Sequence, residues 1–358
     1  MNAIAHGAAQ RKATQLNNST LTFGIEIETV GLGIRGCVQA VHSVVGGNAT
    51  HDRSYNFVGR GSYVAAGVEM ADGRKWSVVY DGSLSHNGAE VVSPICTLED
   101  LDTVQAIVRA LKAAGAKVDE TCGIHIHVGI KHLEAKQIRN LMRLVFRYDH
   151  IIAKGLQVKE SRRGSECRGG YARPLDTDVM ERVDALGNDL SISDLNKAWY
   201  GSSREFDARS QKYHDSRYNG LNLHAFWYQG TAEFRWFNGT LHAGKIRSYI
   251  MFCLSLVSRA QIMSGNSKCK RYTVQDAEVK GWSLMSALLV RLGMKDDNTA
   301  ALWMREGLAT KSQIDKLRKK INADADQAEA PALAPIPEPA PEPPAPVVDY
   351  FNSRECPF

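Results

Sequence analysis

Three segments far apart in the chain set the strongest constraint on its fold, because each alternates apolar and charged residues with the period of a β-strand. In Thr22-Phe-Gly-Ile-Glu-Ile-Glu-Thr, Phe23, Ile25 and Ile27 share one face, and Glu26 and Glu28 share the other. In Thr121-Cys-Gly-Ile-His-Ile-His-Val, the same alternation sends Ile124, Ile126 and Val128 one way and His125 and His127 the opposite way. In Gly230-Thr-Ala-Glu-Phe-Arg-Trp-Phe, Glu233 and Arg235 oppose Ala232, Phe234 and Trp236. Gly88-Ala-Glu-Val-Val-Ser-Pro adds Glu90, just after the tight turn Asp81-Gly-Ser. Each segment has an apolar face that must pack inward, so the expectation is a sheet gathering acids and imidazoles on one surface.

Such a surface needs positive charge. Two carboxylates about 4 Å apart repel by roughly 4 kcal/mol at an effective dielectric of 20, against a total stability of about 5 to 15 kcal/mol. Arg235 and Arg217 supply two cations, too few for Glu26, Glu28, Glu90 and Glu233, and a bound divalent ion is the economical remedy. Mostly oxygen donors with an imidazole point to magnesium or manganese rather than zinc.

Helical spacing marks residues 98–114 (Leu98, Leu101, Val104, Val108, Leu111), residues 134–156 (Ile138, Leu141, Met142, Val145, Ile152) and His242 to Met263 (Ile246, Ile250, Leu254, Val257). Residues 272–322 read as a helical extension in pieces. Residues 157–216, rich in Arg, Gly, Ser and Asp with little periodicity, read as a loop-rich insertion. Residues 1–19 are expected to form a disordered arm. Residues 323–358 are expected to form a disordered tail, since Ala, Pro and Glu up to Pro346 favour extended polyproline and cannot bury a core.

A chain of 358 residues, 44% hydrophobic, can bury a core without disulfides or metals. Seven scattered cysteines contain no CxxC pair, and reduced thiols are expected. No run of eighteen apolar residues occurs, which with the polar start predicts a cytoplasmic protein and no membrane partner. A net charge of +5 suits anionic ligands and argues against a nucleic-acid partner.

The segments Phe23-Gly-Ile-Glu-Ile-Glu, Asp81-Gly-Ser-Leu, Gly88-Ala-Glu-Val-Val-Ser-Pro, Cys122-Gly-Ile-His-Ile-His-Val, Tyr218-Asn-Gly-Leu-Asn-Leu and Gly230-Thr-Ala-Glu-Phe-Arg-Trp-Phe resemble, in order, the motifs of phage-type amidoligases, relatives of glutamine synthetase and glutamate-cysteine ligase. The resemblance covers about residues 21–260. It implies an α+β fold, a curved antiparallel sheet of the glutamine synthetase type with helices on its convex face; the catalytic domain is expected over residues 20–322, with the stretch after 270 outside the resemblance. It further implies ATP and two ions of magnesium or manganese, joining a small-molecule or peptide carboxylate to an amine through an acyl phosphate. By the same resemblance Glu28 and Glu90 would hold one ion with Asp81 nearby, and Glu26, His125 and Glu233 the second. Arg235 would meet the transferring phosphoryl group, and Arg217, Asn219 and Asn222 would form a patch for phosphate or the substrate's carboxylate. His127 would support His125 or the nucleotide.

Gly31-Leu-Gly-Ile-Arg-Gly matches a dinucleotide-binding pattern, but the strand before it carries Glu26 and Glu28, whereas a parallel strand covered on both faces is continuously apolar. Cys122 faces the apolar layer. The basic run Ser161-Arg-Arg-Gly-Ser-Glu-Cys-Arg reads as a substrate-binding or solvated loop. A zinc hydrolase built on His125 and His127 is the rival enzyme, and an inactive binding module that kept the fold is the rival outside catalysis.

Overall fold

The structure is a computed structural model that describes residues 18–50, 66–165, 169–201, 213–264 and 269–294, with isolated helical residues at 312, 315, 316 and 319. The tail expected over 323–358, most of the arm expected over 1–19 and most of the extension beyond 294 lie outside the described residues. Asn18 belongs to the body: it is buried, donates to Ser255 Oγ at 3.0 Å and accepts from the Ser258 hydroxyl.

The strands are β1 (Phe23–Thr29), β2 (Asn48–Thr50), β3 (Ala66–Glu69), β4 (Lys75–Val79), β5 (Ala89–Val92), β6 (Gly123–Gly129), β7 (Leu221–Asn222) and β8 (Thr231–Asn238). They form an eight-stranded sheet in the order β2-β3-β4-β5-β1-β6-β8-β7, antiparallel at every pairing. Among the described residues the sheet therefore has no parallel βαβ unit of the kind a dinucleotide site requires. Gly31 and Gly33, at φ 83° and 69°, instead turn the chain from β1 into helix α1 (Gly33–Val45), a left-handed geometry that favours glycine.

The remaining helices are α2 (Leu101–Ala113), α3 (Ala135–Gly155), α4 (Glu160–Arg163), α5 (Thr177–Ala185), α6 (Ile192–Tyr200), α7 (His224–Gln229), α8 (Ala243–Ile262) and α9 (Val274–Arg291). One face of the sheet is apolar: Phe23, Ile25, Ile27, Ile124, Ile126, Val128 and Phe234 are at most 1% exposed. Fully burying each such side chain is worth about 1.5–3 kcal/mol. Helix α1 packs beneath β3, β4 and β5, α8 beneath β6, and α2 between α1 and α8. A second helical layer follows, with α3 against α8 and α9 against α3. The fold is α+β with helices on one face of an antiparallel sheet, and the opposite face is left for chemistry.

The three expected helices are present, the first opening with a 3-10 turn over Leu98–Asp100. Residues 157–216 differ from the loop-rich expectation, since they contain α4, α5, α6 and a 3-10 turn over Asp215–Tyr218. Helices α5 and α6 are nine residues each, and the side chains that Asp176 and Ser191 place at their N-caps mark their starts better than apolar spacing does. Cys37, Cys96, Cys122, Cys253 and Cys269 are free thiols.

Candidate active site

Register brings the charged residues into rows across the polar face. Glu28 stands opposite Glu90 on β5, and Glu26 opposite His125 on β6. His127 faces Glu233 on β8, which in turn faces Asn222 on β7. A register shift between Ile124 and Ile126 sets two residues of β8 against one of β6, and Arg235 lies in the stretch it re-aims. All seven sequence-predicted strand residues, Glu26, Glu28, Glu90, His125, His127, Glu233 and Arg235, thus come from four neighbouring strands.

Glu26 is the hub. His125 Nδ1 lies 2.8 Å from its Oε2 and His127 Nε2 lies 3.2 Å from its Oε1. Two donor groups, each with ligand atoms within 4.8 Å of one another, meet at this carboxylate: Glu26, Glu90 and His125, and Glu26, His127 and Glu233. The division differs from the one the resemblance implied. Glu90 sides with His125 rather than with Glu28, His127 is itself a candidate ligand, and Glu28 accepts a hydrogen bond from the Gly123 N–H with His125 Nε2 3.8 Å away.

The electrostatics follow from burial and crowding. Burial, then the charges of Glu26 and Glu28, push the Glu90 carboxyl well above the usual carboxylate range. Burial would also raise Glu26, but the charge of His127 and hydrogen bonds from His125 and His127 hold it well below that range. Glu233 is held at about 2, its burial outweighed first by Arg235 and then by His127. Burial works against the His127 proton, but Glu26 and Glu233 raise its pKa. Arg235 donates to Glu233 Oε1 and, through Nε, to the Tyr171 carbonyl at 3.1 Å.

The residues of the expected polar patch have the following partners. Asn222 donates to Glu233 Oε2 and accepts from Ala225 N at 3.3 Å, so it fixes Glu233 and the start of α7. Asn219 is buried and forms a backbone bridge with Arg173. Arg217 is stacked 5.0 Å over Tyr213 and 5.5 Å over Tyr218, on a rim where Tyr171 and Tyr213 are exposed. Asp81 is half-buried and accepts from Ser83 N at 2.8 Å; its charge reaches Glu90, but it belongs to neither donor group. Cys122 is buried with its thiol pushed up to about 11, which removes it as a nucleophile.

Two residues that periodicity does not single out join the site. Arg173 is buried and lies 5.9 Å from the Tyr218 ring. Arg162, in the basic run expected to form a substrate-binding or solvated loop, is 3% exposed beside Gly123. A cleft of about 440 Å³ opens at the strand ends past Glu28, lined by residues that include Ser85, Asp119, Thr121, Lys159 and Asn238. None of the site's acids or imidazoles lines it.

No curated protein matches the chain. Among solved structures, one described as a "Crystal structure of novel glutamine synthase homolog" is 12% identical, with 87% of this chain and 74% of that one covered and a TM-score of 0.32. The sequence profile of the family described as "Putative amidoligase enzyme" matches residues 19–257, a span that holds most of the chain and every residue of the polar face. The chain belongs to this amidoligase family.

Proposed function

We propose that the chain is an ATP-dependent ligase that joins a carboxylate to an amine through an acyl phosphate. The observation that supports it most is the sharing of Glu26 between two acid–imidazole groups on a buried face that also carries Arg235.

The donor chemistry fits a pair of magnesium or manganese ions. Each group offers two carboxylates and one imidazole, and burial together with the charges of Glu26 and Glu28 raises the Glu90 carboxyl, so that a nearby cation would favour its ionised form. Glu26, Glu90 and His125 would hold one ion and Glu26, His127 and Glu233 the other, with Glu28 and Asp81 flanking. Bound there, divalent cations would screen phosphate oxygens so that a second anion can approach.

The chain's own residues then have defined work. The substrate carboxylate attacks the γ-phosphorus and ADP leaves; the amine attacks the resulting acyl carbon and phosphate leaves. Arg235, fixed by Glu233 and the Tyr171 carbonyl, stabilises charge on the transferring and departing phosphoryl group. Arg217, on its aromatic rim, attracts the anionic substrate. A carboxylate of the polar face takes the proton released by the amine. The zinc-hydrolase reading is weaker because His125 and His127 fall in different donor groups, whereas that centre would need both on one ion.

The test is release of ADP and phosphate from ATP by the purified protein with magnesium, manganese or zinc across paired carboxylates and amines. ADP formation that needs magnesium or manganese and rises with a particular pair supports the ligase. Hydrolysis with zinc, without ATP turnover or binding, would replace it with the rival.

A further inference from the structure

Gly123 occupies a position on β6 that should carry a functional side chain. It lies two residues before His125 and four before His127, so its missing side chain would project from the same polar face. The space is filled from elsewhere: a Cβ at 123 would come within 2.7 Å of Arg162 Cζ. A strand glycine commonly marks such a close approach. The Arg162 guanidinium therefore continues the row of His127 and His125 toward Glu28, which accepts from the N–H of the same Gly123.

Arg162 is held firmly at its backbone and loosely at its tip. Asn238, the residue of β8 opposite Gly123, donates to the Gln157 carbonyl at 2.8 Å and accepts from Lys159 N at 3.2 Å, and so clamps the chain that enters α4. The Arg162 carbonyl accepts from Tyr171 N at 2.7 Å and Ala172 N at 2.8 Å. Its side chain, by contrast, makes only long contacts among the described residues, Nη1 to the Cys122 carbonyl and Nη2 to the Arg235 carbonyl, both at 3.4 Å, and its Nε has no partner among them. Among the described residues no carboxylate lies within ion-pair distance of it, and Glu28 is the acid whose charge acts on it most. A guanidinium has five N–H groups, and a cation this buried with so few strong acceptors is an unusual expense unless an anion completes it.

We propose that Arg162 is an anion-binding residue of the reaction centre, seated in the place Gly123 leaves vacant, and that its ligand is a tetrahedral phosphate group. This rests on the ligase reading, under which Glu28 stands beside cations and leaves Arg162 to face a phosphoryl group together with Arg235. The same chemistry could come from the terminal phosphate of the nucleotide or from free phosphate after release, and binding separates the two.

The experiment measures magnesium-dependent binding of three probes to the full chain by calorimetry: a non-hydrolysable ATP analogue, ADP and inorganic phosphate. Arg162→Met is expected to weaken the analogue by about tenfold or more and to leave ADP unchanged, with Arg162→Lys intermediate. A parallel loss for inorganic phosphate assigns the free product to the site as well; retention of phosphate binding confines the role to the nucleotide. Should Arg162→Met fail to fold, Gly123→Ala keeps the arginine but fills its seat, and the same selective loss is expected. Loss of inorganic phosphate alone would assign the site to the free product, whereas unchanged affinity for both the analogue and inorganic phosphate in a folded Arg162→Met, or in Gly123→Ala if that variant must stand in, would overturn the proposal and leave Arg162 as a bridge between β6 and β8. Failure of the unsubstituted chain to bind the analogue or ADP would instead sink the ligase reading, and this inference with it.

Discussion

Glu26 contributes to both donor groups, so a change of charge there reaches the whole face. Glu26→Gln keeps the size of the side chain but cannot accept from both imidazoles while bridging two cations. Activity is expected to fall at least ~100-fold, and stabilisation by magnesium to be lost, with the circular dichroism spectrum unchanged. Wild-type ADP release in this variant would refute the metal assignment. The metal-free protein also has a defined pH response. Glu90 and His127 have raised pKa values, so the stability they lend is complete below their ordinary values of 4.5 and 6.5 and is lost as pH rises through the folded ones. Glu26 and Glu233 are lowered, so theirs is present above 4.5 and lost as pH falls. The thermal midpoint should therefore peak near about pH 4.5 and decline as pH rises, and magnesium should raise it more at pH 8 than at pH 5.5, because the ion replaces protons. A flat profile in both conditions would contradict this charge arrangement. Strand parity alone was enough to put Glu26, Glu28, His125, His127, Glu233 and Arg235 on one face. It could not show that Asn222 is taken up by Glu233, or that Arg162 fills the gap at Gly123, because both depend on contacts between segments remote in the chain.

Helix α4 has only four residues and cannot hold itself. Its position comes from the Asn238 clamp and from Arg163, which pairs with Asp149 of α3, a carboxylate that is 1% exposed, and donates to the Ala172 carbonyl at 3.1 Å. Asp149→Ala would leave Arg163 without its partner, and a loss of about 3–5 kcal/mol in urea unfolding is expected, as for other broken buried pairs. A loss under about 1 kcal/mol would mean that α4 is anchored elsewhere. The long helices α3 and α8 were legible because apolar residues recur along their buried faces. The three-residue β2 and two-residue β7 were not, since a period of two has no room to show in so short a strand.

The strand order of the whole sheet could not be read from its parts. Every strand offers a similar apolar face, so pattern fixes which side is buried but not which strand is whose neighbour. The charged residues fall on β5, β1, β6 and β8, consecutive in the sheet although they come from both halves of the matched region. Among the described residues no helix is long and apolar enough to cross a membrane. Removing residues 323–358 is expected to leave both turnover and the thermal midpoint unchanged; a drop in either would show that the tail docks on the catalytic body. The double use of Glu26 has a final consequence for how such a protein responds to its surroundings. Two groups that share a ligand cannot fill independently, and by thermodynamic linkage whatever factor the first ion imposes on the affinity of the second, the second imposes on the first. Holding cations as proposed, the polar face would be a single reciprocal binding unit, and its occupancy at a given concentration would belong to the pair rather than to either half.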